Sequence, residues 1–162
     1  MSKQENFIQA VQANQGIIRK ISGIYSNGVE DQKDLYQEIV SRMWHSFDSF
    51  KGDSKLSTWM YSVALNSSIS YIKKEKRRAK EVRLDLEFLD QPLETDTFMQ
   101  ERVDMLYSTI KELNIIERGI ILLFLEGKSH KEIGDITGFT ANNVGTRMAR
   151  IREKLKNKIK HQ

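Results

Sequence analysis

The chain has 162 residues, of which 30% are charged, and carries a net charge of +4. It contains one proline and no cysteine, which excludes a disulfide framework, a zinc–thiolate site and a collagen-like repeat. No apolar run reaches the ~20 residues that span a bilayer, and the first residues lack the pattern of a signal peptide. We therefore expect a cytoplasmic protein without membrane insertion.

Charge is distributed unevenly along the chain. Residues 1–80 carry +5, residues 81–100 carry −5 and residues 101–162 carry +4. Two basic segments separated by an acidic one predict two surfaces for a polyanion, joined by a connector that does not bind that partner. We therefore predict two small domains, residues 1–80 and 101–162, and a flexible acidic linker over residues 81–100.

Apolar residues recur at three- and four-residue spacing along most of the chain, and no alternating pattern indicates a strand, so the predicted fold is all-α. The first helix is predicted from Glu5 to about Tyr25, and Asp31 is predicted to cap the second. Ser57 or Thr58 is predicted to cap a third helix, which ends in a basic run. Four further helices are predicted after the single proline, at roughly 99–113, 116–126, 129–137 and 141–158.

The last two predicted helices have the pattern of a helix-turn-helix. Ser129 and Glu132 form a capping-box sequence, Gly138 suits the turn and Thr140 can cap the second helix. Six apolar residues are spaced to pack the pair together: Ile133, Ile136, Phe139, Val144, Met148 and Ile151. The outward face of the second helix has residues able to reach a major groove: Ala141, Asn142, Gly145, Thr146, Arg147 and Arg150.

The four lysines that follow this face are predicted to form a general phosphate-attracting tail: Lys154, Lys156, Lys158 and Lys160. A purely structural pair of helices with a solvated basic face stays open as an alternative, because short helical pairs are common.

The N-terminal basic segment combines aromatic residues with a long helix. Trp44, Phe47 and Trp59 fall in apolar stripes and are predicted to lie in the core, whereas Tyr61 and Tyr71 suit either burial or base stacking. The third helix is predicted to expose a polar face that could stack unpaired bases and hold a phosphate backbone: Tyr61, Ser62, Asn66, Ser70 and Lys73. An acidic patch is predicted on the preceding helix: Asp34, Gln37 and Glu38.

Three motifs in the first 80 residues carry a resemblance to a known family. Asp31–Ile39 reads D-x-x-D-L-x-Q-E-I, Phe50–Ser54 reads F-K-G-D-S and Thr58–Tyr61 reads T-W-M-Y. Together they resemble region 2 of an extracytoplasmic-function (ECF) sigma factor of the sigma-70 family. The helix-turn-helix resembles region 4 of the same family, in the expected order.

The resemblance implies two small helical domains joined by a linker, in a subunit that binds core bacterial RNA polymerase, recognises the −10 and −35 promoter elements and promotes DNA melting. It implies no catalytic residue, cofactor or metal. It further implies an anti-sigma factor as a partner, and an acidic linker that passes through polymerase channels.

The resemblance also implies roles for particular residues. The acidic patch would bind the clamp helices of the largest polymerase subunit: Asp34, Gln37 and Glu38. The loop and the third helix would bind promoter DNA at the −10 element, including the non-template single strand: Gly52, Asp53, Ser54, Lys55, Tyr61, Asn66, Ser70, Lys73 and Lys74. The helix-turn-helix would bind the −35 duplex: Thr140, Asn142, Thr146, Arg147 and Arg150.

The chain departs from the family pattern at three positions. Gly145 stands where Lys or Arg is frequent, Asn143 where Thr is frequent and Gly134 where Ala is frequent. Gly145 removes a phosphate or base contact and costs roughly 1 kcal/mol of helix propensity relative to alanine. Gly134 would let the two helices approach closely.

Three alternatives remain open at this point. The chain could be a stand-alone transcriptional regulator that uses its helix-turn-helix without polymerase, or an interaction protein whose helical faces bind other proteins only. It could also be an enzyme such as a metal-dependent nuclease, but His45, His130 and His161 are scattered and lack ligand spacing.

Overall fold

A computed structural model describes residues 2–81 and 98–160 of the chain. The chain divides into two compact units, Met1–Leu84 (unit 1) and Asp85–Gln162 (unit 2). The described residues are helical apart from turns and short loops and contain no strand, which confirms the predicted all-α fold. The α-helices, in chain order, are α1 Lys3–Ala13, α2 Gln15–Tyr25, α3 Val29–Ser46, α4 Leu56–Glu81, α5 Phe98–Lys111, α6 Ile115–Leu125, α7 His130–Thr137 and α8 Ala141–Lys160.

The predicted acidic linker, residues 81–100, lies for the most part outside the described residues. No helix within the described ranges is long and apolar enough to cross a membrane.

The core of unit 1 forms where α2, α3 and α4 pack together. Each helix contributes an apolar stripe with helical spacing, and the stripes meet in the interior. The side chains at the centre are at most 1% exposed: Ile18, Ile21, Ile24, Leu35, Ile39, Met43, Met60 and Ala64. Burying an isoleucine, leucine or methionine side chain stabilises the fold by about 1.5–3 kcal/mol, so this three-helix contact fixes the positions of α3 and α4.

The single first helix predicted over Glu5–Tyr25 is wrong, because the chain breaks at Asn14 into α1 and α2. The Asn14 side-chain amide donates to the Ala10 carbonyl at 2.8 Å, in place of the backbone N–H. That N–H turns to the Val11 carbonyl instead, at 3.2 Å. An asparagine side chain that competes for a helical carbonyl in this way ends a helix that apolar spacing alone would continue.

Two predicted helix starts also differ from the structure. Helix α3 begins after Gly28, whose φ is 98°, and Asp31 lies inside its first turn. The Asp31 carboxylate accepts from the Asn27 backbone N–H at 2.8 Å, so it binds the preceding turn rather than capping the helix. Helix α4 begins at Leu56, where the Lys55 carbonyl accepts from the Trp59 N–H at 3.2 Å, so Ser57 and Thr58 lie within the first turn.

Unit 2 is built around the apolar helix α6, against which α5, α7 and α8 pack. The fully buried side chains at its centre are Ile110, Ile120, Leu123, Ile133, Met148 and Ile151. Asn114 caps α6 through a capping box with Glu117, in which each side chain accepts from the other residue's backbone N–H. The four helices predicted in this half are confirmed with their ends within a few residues.

Candidate nucleic-acid and protein interfaces

The predicted acidic patch lies on the side of α3 that faces away from the core of unit 1. Leu35 and Ile39 are fully buried, and they orient the helix so that Asp34 and Gln37 are exposed. Glu38 is half-buried, and its carboxylate accepts from Arg42 Nε at 2.9 Å. The structure therefore brings the three residues onto one surface, with Glu38 held in place by an ion pair.

The loop before α4 presents four consecutive exposed residues, Gly52, Asp53, Ser54 and Lys55. Gly52 has a φ of 80°, a left-handed conformation that a residue with a Cβ rarely adopts. The two ends of the loop are held together by the rings of Phe50 and Trp59, whose centroids lie 5.6 Å apart. The loop therefore exposes polar side chains and the Gly52 backbone, and the Phe50 and Trp59 rings form an aromatic support at its base.

The support continues beneath the loop as a chain of rings that we name the aromatic cluster: Phe7, Trp44, Phe47, Phe50 and Trp59. The centroids of neighbouring rings in this cluster lie 5.1–6.1 Å apart, in edge and tilted arrangements that aromatic pairs favour. The tryptophans and Phe47 were predicted to lie in the core, and the structure leaves them half-buried.

One face of α4 carries Asn66, Ser70, Lys73 and Lys74, and all four are exposed. Tyr61 was predicted to share this face, and that prediction of exposure is wrong: its side chain is only 5% exposed. Tyr61 follows buried Met60 and precedes buried Ala64 and Leu65, so it points toward the packed side of α4. The exposed polar face therefore begins one turn later than predicted.

Tyr71 is tied to α3 rather than free on the surface. Its hydroxyl donates to the Asp31 carboxylate at 2.6 Å, and the other oxygen of that carboxylate holds the turn at Asn27. Burial first, and the Asp31 carboxylate second, raise the pKa of the Tyr71 hydroxyl well above its usual range. The two residues are forty positions apart, so no local pattern could have revealed the pair.

Unit 2 contains a helix-turn-helix formed by α7 and α8, as predicted. Ser129 and Glu132 form the predicted capping box, Gly138 has a φ of 89° and Thr140 Oγ1 accepts from the Asn143 N–H at 3.1 Å. The predicted packing residues are buried, except that Phe139 is half-buried at the turn. The sequence pattern therefore predicts this motif in detail.

The outward face of α8 presents Asn142, Thr146 and Arg150, all of them exposed. Arg147 lies on a flank of this face and is half-buried: its Nε donates to Asn143 Oδ1 at 2.6 Å. Its guanidinium lies 4.3 Å from the centre of the Phe139 ring. Arg150 thus extends into solvent, whereas Arg147 is held against the turn.

The C-terminal half of α8 is tied to the rest of unit 2 by two of the four lysines that were predicted to form a phosphate-attracting tail. Lys154 Nζ donates to both oxygens of Glu117, at 2.9 and 2.7 Å, and Glu117 is 7% exposed. Lys158 Nζ donates to Glu112 at 2.8 Å. Because both carboxylates lie far away in sequence, spacing along α8 gave no signal for these ion pairs.

Within residues 2–81 and 98–160, no group of three or more His, Asp or Glu side chains is placed to hold a metal ion. Unit 2 is a helix-turn-helix unit. Unit 1 adds the basic helix α4 beside the exposed Gly52–Lys55 loop.

Comparison with known proteins identifies the family. Residues 10–78 match the family model described as Sigma-70 region 2, and residues 104–155 match Sigma-70, region 4. The chain belongs to the sigma-70 family, in its ECF group, and is a transcription initiation factor. Its relatives include the ECF RNA polymerase sigma-E factor of Haemophilus influenzae, which is 29% identical over 86% of this chain and 82% of the relative. The sigma-E factor of Escherichia coli K12 is 28% identical over 86% and 81%, respectively.

Solved structures share the fold. The sigma factor RpoE in complex with the anti-sigma factor NepR from Bartonella quintana has a TM-score of 0.74 at 21% identity, over 96% of this chain and 98% of that one. CnrH in complex with the cytosolic domain of CnrY has a TM-score of 0.71 at 19% identity, over 98% and 90%.

Proposed function

We propose that the chain is the promoter-recognition subunit of a bacterial RNA polymerase. It binds core polymerase, recognises the −10 and −35 promoter elements and promotes melting of the duplex, and it has no catalytic centre of its own. The observation that carries the proposal is the occurrence of both sigma-70 regions, in order, on one chain. The protein acts in the cytoplasm, where it meets polymerase and the chromosome.

Polymerase binds the α3 surface formed by Asp34, Gln37 and Glu38. This surface is acidic within a segment of net positive charge, which suits a basic protein partner and repels DNA. The Arg42 ion pair holds Glu38 in one orientation, which lowers the side-chain entropy lost on binding. The partner is the pair of clamp helices in the largest polymerase subunit.

The loop Gly52–Lys55 takes up a base extruded from the non-template strand. Extrusion costs a few kcal/mol of stacking and pairing, and a pocket of small polar groups offsets this cost for a preferred base. The four residues are exposed, and the aromatic cluster fixes both ends of the loop. The loop therefore selects sequence and stabilises open DNA in one step.

The exposed face of α4 holds the strand that leads to this loop, through Asn66, Ser70, Lys73 and Lys74. The lysines attract the phosphate backbone, while the asparagine and serine donate to and accept from bases. Tyr61 takes no part in this surface, because its side chain is buried in the unit.

The −35 element is read by α8 in the major groove. Asn142, Thr146 and Arg150 have the exposure needed to reach base edges, and arginine and asparagine can make bidentate contacts there. Thr140 lies at the start of the helix, beside the DNA backbone. Arg147 approaches the groove from the flank of the helix.

An anti-sigma factor holds the protein inactive until a signal arrives. Two solved structures with this fold are complexes, and the partner in one of them is named as an anti-sigma factor. A subunit that redirects polymerase requires such control.

The acidic segment 81–100 passes through polymerase channels that otherwise carry RNA.

Reconstitution with bacterial core polymerase on a genomic promoter library tests the function. We expect a defined set of start sites that depend on the added protein and share −10 and −35 sequences. If no start site depends on the protein while the purified chain binds duplex DNA alone, a stand-alone regulator replaces this function. If neither activity is seen, the helical faces serve protein contacts only.

A further inference from the structure

His130 of α7 lies directly against Gly145 of α8. A Cβ placed on Gly145 would lie 3.4 Å from His130 Nδ1 and 3.6 Å from Cε1. The imidazole ring therefore lies next to the space that a side chain at position 145 would enter. Helix α7 thus supplies a side chain at the one place on α8 where the helix itself has none.

The position of the ring relative to the outward face of α8 is set by the helix itself. Gly145 follows buried Val144 by one residue, which puts it on a flank between the core side and the outward residues Asn142 and Thr146. The opposite flank is occupied by Arg147, which rests on the turn. His130 and Arg147 therefore stand on either side of the exposed polar face.

The His130 side chain is exposed, and within the described residues its ring makes no hydrogen bond or ion pair. A neutral imidazole always has one N–H donor and a protonated one has two, so a donor is available in either state. The ring lies beside Gly145, and no described residue hydrogen-bonds to its polar atoms.

We infer that His130 donates a hydrogen bond to a backbone phosphate of the −35 duplex, in place of the side chain that Gly145 lacks. The inference rests on the proposed function. A phosphate, rather than a base, is the partner because His130 lies on a flank and on the helix before the recognition helix, which crosses the sugar–phosphate backbone when α8 enters the groove. His130 is thus a DNA-contacting residue that sets affinity rather than sequence preference.

The first experiment measures initiation by the reconstituted holoenzyme on a promoter from the library, with a randomised −35 element. We expect His130→Ala to lower initiation about tenfold on all −35 sequences alike, since a charge-assisted hydrogen bond is lost without a change in base contacts. His130→Gln keeps an N–H donor and should retain most of the activity. His45→Ala, at an exposed histidine of unit 1, is the matched control and should be silent.

Variants at position 145 test whether His130 of α7 takes the role of the side chain that Gly145 of α8 lacks. Gly145→Ala should be silent, because a Cβ at 3.4 Å from the ring is an ordinary contact. Gly145→Arg should restore initiation in the His130→Ala background, because it returns a phosphate donor to the vacated space. Circular dichroism checks that each variant is folded and unfolds at no lower a temperature than the parent chain.

Three results would overturn the inference while leaving the proposed function intact. His130→Ala could initiate as well as the parent, or it could change the preference at one base position, which would make the residue a base reader. Failure of Gly145→Arg to restore activity would contradict this role of His130. If the parent holoenzyme initiates nowhere, the proposed function fails and the inference fails with it.

Discussion

Gly134 determines how closely α7 approaches the turn that follows it. A Cβ at this position would lie 2.6 Å from the Phe139 carbonyl oxygen and 3.7 Å from the Ala141 nitrogen. These neighbours are backbone atoms, so they cannot rotate away as a side chain could. The close approach expected at Gly134 is therefore to the turn and to the first residue of α8.

Gly134→Ala is expected to destabilise unit 2 by about 1–3 kcal/mol, because the added methyl group overpacks a rigid contact. The measurement is urea unfolding of the full chain followed by circular dichroism. Gly16→Ala is the matched control, because it lies in α2 with no atom near its Cβ position, and it should be neutral or slightly stabilising. Equal unfolding midpoints for the two variants would contradict the close contact.

Tyr71→Phe is expected to destabilise the chain by about 1–2 kcal/mol at neutral pH, since the Asp31 carboxylate loses a hydroxyl donor. The raised pKa of Tyr71 gives this effect a pH dependence. Between pH 10 and the higher folded-state pKa the unfolded chain loses the tyrosine proton before the folded chain does, so stability falls as pH rises.

The difference between Tyr71→Phe and the parent chain should therefore shrink above about pH 10, in chemical denaturation repeated at several pH values. Tyr36→Phe, which removes a tyrosine hydroxyl from α3, is the control and should follow the parent. A difference that stays constant through the alkaline range would show that the Asp31 bond does not govern this titration.

Helix α1 begins before the matched family region and supports a proposed functional surface. The sigma-70 region 2 match begins at residue 10, yet Phe7 of the aromatic cluster and Lys3, which contacts the cluster, lie before that point. Phe7 contacts the rings of Trp44 and Phe47, and Lys3 lies 4.2 Å from the centre of the Trp44 ring and pairs with Asp48 at 2.9 Å. The helix therefore braces the support of the Gly52–Lys55 loop.

Phe7→Ala is expected to cost about 2–4 kcal/mol and to detach α1 from the aromatic cluster. Both tryptophans of the chain belong to the cluster, so their fluorescence emission should shift to longer wavelength as Trp44 loses its cover. Ile8→Ala removes an adjacent side chain that is 43% exposed, and should leave the emission unchanged. Identical spectra for both variants and the parent would show that α1 does not cover the cluster.

The elements differ in how much of them the sequence reveals, and the differences have a physical cause. Short-range signals suffice for α7 and α8, because capping boxes, a positive-φ glycine and apolar spacing all act within a few residues. They fail at Asn14, where one side chain competes with the helix backbone, and at Tyr61, whose burial depends on neighbouring helices. The Tyr71–Asp31 and Lys154–Glu117 pairs join residues that are distant in sequence, so only the three-dimensional structure reveals them.

For the molecule as a whole, the small net charge is the sum of acidic and basic surfaces whose proposed partners differ. The acidic face of α3 and the basic face of α4 belong to the same unit, and the Tyr71–Asp31 bond links the two helices that carry them. One unit therefore carries both the proposed polymerase surface and the proposed −10 DNA surface. The proposed −35 surface lies on the helix-turn-helix of the other unit, so mutations on the separate surfaces should have separable effects.

Glu38→Lys is expected to weaken binding to core polymerase and to lower initiation equally on every promoter, because it reverses the charge of the proposed contact. A pull-down with core polymerase measures the first effect and transcription from several promoters the second. Glu30→Lys makes the same charge change on the same helix at a highly exposed position and should leave both unchanged. Unchanged association of Glu38→Lys would remove this residue from the interface.

Arg150→Ala is expected to leave core binding intact and to reduce initiation only on promoters with an intact −35 element. Loss of a bidentate contact to a base edge costs about 1–3 kcal/mol, and that loss disappears once the contacted base pair is already changed. The measurement is initiation on matched promoters that differ at single −35 positions. Lys156→Ala removes one positive charge further along α8 and should weaken all promoters slightly and alike. The same uniform pattern for Arg150→Ala would make Arg150 a phosphate contact and leave Asn142 and Thr146 as the base readers of α8.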